Sequence, residues 1–147
     1  MFKCNNKGLT LIELIVVIGF LGLLLSISLP KIEKSPYILL YTTKTLRDDI
    51  RNIKYAAMTE GTGGRIVFDR YSYMILEGEK IIKTVNLNKD LRIKQNFLKS
   101  SVGFDFKGTP ISGGGTVSIV DESTKKYCKI TIVPATGRIL MENKIYK

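Results

Sequence analysis

The chain has 147 residues, enough for one domain of ordinary size together with an N-terminal segment. It contains no histidine and only two cysteines, Cys4 and Cys128, so the commonest general base and metal ligand are missing and no Cys/His cluster exists; no metal, cofactor or catalytic residue set is expected, and the chain does not read as an enzyme. Lys and Arg number 23 against 13 Asp and Glu, a formal net charge of +10, which favours anionic partners, although acids such as Asp48, Asp49 and Glu60 lie among the bases and fit a solvated lysine-rich surface equally well.

In chain order, Lys3 and Lys7 precede an apolar run of about twenty residues that ends at Pro30, the length a helix needs to cross a bilayer. The positive-inside rule then predicts a single-pass membrane protein with its N-terminus cytoplasmic and everything after Pro30 on the far side of the inner or cytoplasmic membrane. A secretory signal peptide is one reading, with Ser26-Ile27-Ser28 as a small-x-small cleavage site and a mature terminus at Leu29. Glu13 stands against it, because a carboxylate in mid-bilayer costs about 2.5 to 3.5 kcal/mol and a signal core has no reason to contain one. Of the net +10, Lys3 and Lys7 supply +2, so a chain beginning at Leu9 carries +8.

A second helix is predicted over about 37–60. Leu39, Leu46, Ile50, Ile53 and Ala57 line one face at helical spacing, and Lys44, Arg47, Asp48, Arg51, Asn52 and Lys54 occupy much of the rest. Pro30 and Pro36 punctuate this stretch without necessarily ending a helix that, at some fifty residues, would be about 75 Å long. Gly61, Gly63 and Gly64 then stop it.

From Arg65 onward, short alternating or β-branched runs predict strands at 65–69, 71–76, 81–85, 91–97, 102–106, 116–120, 127–133 and 138–142. Hairpin turns are expected at 77–79, 121–126 and 135–137. The sequence therefore reads as α+β: a long N-terminal helix, membrane-spanning in its first half, packed by its second half on an antiparallel sheet. Gly113-Gly114-Gly115 is read as a sheet connection because no Lys-Ser/Thr follows it to make a phosphate loop. Cys128, with no histidine to activate it and Ile130 and Ile132 alternating beside it, reads as a strand residue and not a nucleophile.

The run Lys7-Gly8-Leu9-Thr10-Leu11-Ile12-Glu13-Leu14 resembles the signal of type IV prepilins and pseudopilins, in which a short basic leader ends in Gly and the fifth mature residue is Glu. That resemblance implies a leader at 1–8, a transmembrane and assembly helix at 9–30 and a pilin-like globular domain at 31–147. It also implies cleavage between Gly8 and Leu9 by a prepilin peptidase and N-methylation of Leu9, although the first mature residue in the family is most often Phe or Met. Glu13 would neutralise the Leu9 ammonium of its own or a neighbouring subunit, since pairing is what makes a buried charge tolerable.

The implied role is structural: a minor pilin or pseudopilin of a type IV pilus, type II secretion or competence filament, with other pilin subunits and a membrane assembly platform as partners. The segments FKGTPISGGG (106–115), TVSIVD (116–121) and ITIVPATGRI (130–139) further resemble the C-terminal half of the GspH/FimT branch. A filament-borne receptor for DNA uptake is the alternative, with Lys125, Lys126, Lys129 and Arg138 as the candidate anion-binding residues. The DNA-binding pattern of that branch, Gly-Arg-x-Arg, is incomplete here, because Gly137-Arg138-Ile139 is followed by Leu140.

Overall fold

The computed structural model describes residues 10–28 and 34–147, in two compact units divided after residue 33. The first holds helix α1, Leu11–Ser28; the junction at 29–33, on which the expectation of one continuous helix rests, lies outside the described residues.

The second unit opens with helix α2, Lys34–Thr59, whose first turn contains Pro36, where a missing N–H has no intrahelical partner to lose. Leu39, Leu46 and Ile50 are fully buried, and Ile53 and Ala57 nearly so, as their spacing predicts. Thr43 completes this stripe from inside the core: its hydroxyl donates to the Leu39 carbonyl at 2.8 Å, so a polar side chain fills an apolar position with its bond satisfied by its own helix. Gly61, at φ 64, follows the helix end.

Eight strands follow: β1 Gly64–Phe68, β2 Ser72–Glu77, β3 Lys80–Asn86, β4 Leu91–Gln95, β5 Ser101–Gly103, β6 Gly115–Asp121, β7 Tyr127–Ile132 and β8 Ile139–Met141. Each falls within a residue or two of a predicted start. They do not make the single sheet expected from the sequence. They form two antiparallel four-stranded sheets, ordered β3-β2-β1-β5 and β4-β6-β7-β8. The chain changes sheet at β4, returns with β5 to the free edge of β1, then crosses again to lay β6 beside β4. Period-two alternation marks which face of a strand is buried but carries no information about its neighbour, so two sheets read the same as one.

Helix α2 packs against β1, β6, β7 and β8, touching both sheets. Ile66, Phe68 and Tyr73 from the first sheet and Leu91, Ile93, Val117, Ile119, Cys128, Ile130 and Ile132 from the second meet its apolar face. Phe68 stacks on Phe97 at 5.6 Å between centroids, tying β1 to the segment after β4.

One polar group in this core departs from the sequence reading. Asp49, expected at the surface with the other scattered acids, is 8% exposed. Tyr73 donates its hydroxyl to Asp49 Oδ2 at 2.6 Å, and Lys83 Nζ reaches both carboxylate oxygens at 2.8 Å, so a helix residue is bonded to β2 and β3 at once. Burial, with the adjoining carboxylate, pushes the Tyr73 hydroxyl well above its ordinary value of 10.0. A folded value raised above the unfolded one gives stability that is present in full below about pH 10 and lost as pH climbs through the folded value.

Tyr73→Phe should therefore cost about 1.5 to 3 kcal/mol at neutral pH, the range for a hydrogen bond to a charged group. In urea melts the gap between wild type and variant should narrow above pH 10; a gap independent of pH would refute the shift.

Candidate functional site

Helix α1 is apolar on every side. Leu11, Ile12, Leu14, Ile15, Val16, Val17, Ile18, Phe20, Leu21, Leu23 and Leu24 are each 46 to 76% exposed, and Glu13 is the one ionisable side chain in the helix sequence. A helix apolar all round is stable only when something apolar surrounds it. At 18 residues it is about 27 Å long against a hydrocarbon core of about 30 Å, and no helix among the described residues is long and apolar enough to cross a membrane. The expected membrane segment, 9–30, extends past both ends of α1, and Gly8, Leu9, residue 29 and residue 30 lie outside the described residues.

The start of α1 explains part of the motif that carries Glu13. Thr10, immediately before the helix, accepts the Glu13 backbone N–H on Oγ1 at 3.4 Å and the Leu14 N–H on its carbonyl at 3.2 Å. Thr10 is thus the N-cap and Glu13 the third helical residue, where a carboxylate complements the positive end of the helix dipole. Sequence reading missed this cap, although Thr-x-x-Glu ahead of an apolar run is its signature.

The basic residues singled out from the tail are placed at separate stations. Lys125 and Lys126 precede β7, Lys129 lies on its outward face with Nζ 4.8 Å from the Tyr146 ring centroid, and Arg138 lies beyond its far end. Strand β7 has six residues, about 20 Å at 3.3 Å each, which separates Arg138 from Lys125 and Lys126; Lys129, midway along the strand, is about 13 Å from Val133, whose N–H donates to the Arg138 carbonyl. Arg138 lines a different cleft with Arg51 and Lys54 of α2. Lys125 instead shares a cleft with Arg92, Lys94, Ser118, Val120 and Tyr127 on the outer face of the second sheet. Arg92 and Lys94 alternate with buried Leu91 and Ile93 along β4, a period-two signal by which this basic face was legible.

The two glycine-bearing tail segments meet in space. Gly108, in the β5–β6 connection, and Gly137, in the β7–β8 turn, are both buried, and a Cβ at Gly137 would overlap the Gly108 carbonyl oxygen. Gly137 has φ 58, a left-handed conformation that costs other residues energy, and its N–H donates to the Val133 carbonyl at 2.9 Å. Lys54 Nζ of α2 closes the arrangement by donating to the Gly137 carbonyl at 3.0 Å and the Thr136 carbonyl at 3.3 Å. The helix is thereby fastened to the final hairpin. Gly113-Gly114-Gly115 leads directly into β6, with Gly114 against Pro134.

No group of three or more metal-ligating side chains occurs among the described residues. Cys128 is buried on the inner face of β7, and burial pushes its thiol up, away from the reactive thiolate.

No protein-family model and no curated protein matches the sequence. Solved structures do match the fold. The minor pseudopilin EpsH from the type 2 secretion system of Vibrio cholerae superposes with a TM-score of 0.59 at 11% identity, covering 71% of this chain and 95% of that one. The type IV minor pilin FimU of Pseudomonas aeruginosa superposes with TM-scores of 0.60 and 0.56 in two crystal forms, at 16% identity, covering 74% and 71% of this chain and 92% and 94% of those.

The chain has a type IV pilin-like fold of the GspH/FimT kind. In the pilin-like head, α2 is the helix laid across the sheets, and the Gly108–Gly137 contact with Lys54 locks its C-terminal half to the closing hairpin of the tail. At such low identity the resemblance extends to the fold and not to particular side chains.

Proposed function

We propose that this chain is a minor pilin or pseudopilin, a structural subunit of a type IV pilus, type II secretion or competence filament. The observation that carries the reading is a helix with apolar side chains on every side, headed by Glu13, in one chain with a pilin-like head. Before assembly, residues 9–30 sit in the inner or cytoplasmic membrane with the N-terminus cytoplasmic and the head on the far side. A prepilin peptidase removes residues 1–8 and methylates Leu9. A membrane assembly platform then lifts the helix from lipid into a bundle of other pilin helices at the cell surface or in the periplasm, exchanging one apolar surrounding for another.

Cleavage after Gly8 would place the new Leu9 ammonium one residue before the Thr10 cap and four before Glu13. The carboxylate then has a cation of its own or of a neighbour to offset its charge in an apolar bundle. The proposal assigns no reaction to the chain itself.

Intact-mass analysis of the membrane-extracted protein tests the processing step. The expected mass is that of a chain beginning at Leu9 and carrying one extra methyl group. Replacing Gly8 with a bulky residue should leave full-length precursor in the membrane. A mature terminus at Leu29 would instead mean an ordinary secretory signal and overturn the proposal.

A further inference from the structure

The outer face of the second sheet carries a cleft of about 340 Å³ lined by Arg92 and Lys94 of β4, Ser118 and Val120 of β6, and Lys125 and Tyr127 at the start of β7. That volume lies at the lower end of the range for small-ligand sites. Arg92 NH1 is 3.2 Å from Glu122 Oε1, so its charge is largely offset. Lys94 and Lys125 are exposed and have no salt-bridge partner among the described residues, which leaves two positive charges uncompensated at the cleft. The Arg92 Nε–H is shut off from solvent and has no hydrogen-bond acceptor there, an exception to the rule that buried donors are paired.

We propose that this cleft binds the phosphate group of a small phosphate ester. A phosphomonoester carries close to two negative charges at neutral pH and several strong acceptor oxygens, matching the two free ammonium groups and the donors of Arg92 and Ser118. A carboxylate offers half that charge. Val120 and Tyr127 supply an apolar wall for the organic part of the ester, and the cleft is larger than a bare phosphate needs. The site belongs to the head and does not depend on whether the chain enters a filament.

The test uses the full chain in uncharged detergent micelles, with binding followed through backbone amide resonances. One arm adds glycerol 3-phosphate, a second adds inorganic phosphate, and a third dopes the micelles with phosphatidic acid, the lipid whose headgroup is itself a phosphomonoester. Saturable shifts at Arg92, Lys94, Ser118 and Tyr127 are expected in the first arm. Tighter saturation in the third would assign the phosphate to a lipid headgroup, and in the first or second to a soluble ion or ester.

The double variant Lys94→Gln/Lys125→Asn should weaken binding by about tenfold or more, equivalent to about 1.4 kcal/mol. Asparagine preserves the left-handed backbone at residue 125, where φ is 59. Lys80→Gln/Lys107→Gln removes the same charge from exposed positions on β3 and in the β5–β6 connection and should change affinity less than twofold, by the weak coupling expected of distant surface charges. Equal weakening in the two variants, shifts scattered over the basic surface, or no saturable shift in any arm would overturn the proposal.

Discussion

Glu13→Val is expected to insert into the membrane at wild-type levels and yet be absent from sheared filaments. Insertion cannot suffer, because valine partitions into the bilayer favourably where a carboxylate costs about 2.5 to 3.5 kcal/mol. The helix start loses only the carboxylate's interaction with the helix dipole, about 0.3 to 1 kcal/mol, because the Thr10 cap receives the backbone N–H of residue 13, which valine retains. What is lost is the one negative charge of an otherwise apolar helix, and with it, on the proposed reading, the partner for the Leu9 ammonium. Glu13→Gln separates charge from shape. It keeps the length and polarity of the side chain and should fail as Glu13→Val does, whereas rescue by glutamine would make Glu13 a hydrogen-bonding residue and not an ionic partner. Immunoblots of membrane and filament fractions measure both.

The second large effect is on the head. Gly137→Val places a β-branched side chain at φ 58, where left-handed backbone alone costs about 1 to 2 kcal/mol. Its Cβ also overlaps the Gly108 carbonyl, and overpacking of a closed site costs about 1 to 3 kcal/mol more. The expected loss is therefore roughly 2 to 5 kcal/mol, a large part of the 5 to 15 kcal/mol that holds a domain of this size. Gly61→Val is the matched control: φ is 64 there, but nothing lies within 4 Å of an added Cβ, so only the backbone cost of about 1 to 2 kcal/mol should appear. Urea unfolding of the two variants decides the matter. Equal losses would mean that the Gly108–Gly137 contact contributes nothing.

These expectations rest on parts of the molecule that were unequally legible in the sequence. The apolar stripe Leu39, Leu46, Ile50, Ile53 and Ala57 could be read because burial follows helical spacing, and the strands because burial follows alternation. Thr43 and Asp49 escaped for one reason: both are polar, and their burial depends on partners, the Leu39 carbonyl in one case and Tyr73 with Lys83 in the other, that no local pattern announces. The division into two sheets is a matter of long-range pairing, β5 with β1 and β6 with β4, set by the whole core and not by any strand alone.

The basic residues show the same limit. Lys129 and Arg138 lie nine positions apart in a hairpin that suggests proximity, but the strand between them carries Arg138 to Arg51 and Lys54, while β4 brings Arg92 and Lys94 to Lys125 from more than thirty residues away. At the start of α1 the capping role of Thr10 went unread, because it is a bond to the backbone of residue 13, which neither charge nor hydropathy registers.

The central claim is that α1 exchanges lipid for the helices of other pilin-like subunits. A photo-crosslinking residue in place of Val17, 47% exposed on α1, reports that directly in cells assembling the filament. The account predicts a covalent adduct to the apolar N-terminal segment of another subunit that itself begins after a cleaved glycine, abolished when Glu13→Val is introduced in the same chain. Adducts to lipid alone, or adducts to protein that persist unchanged with Glu13→Val, would contradict it.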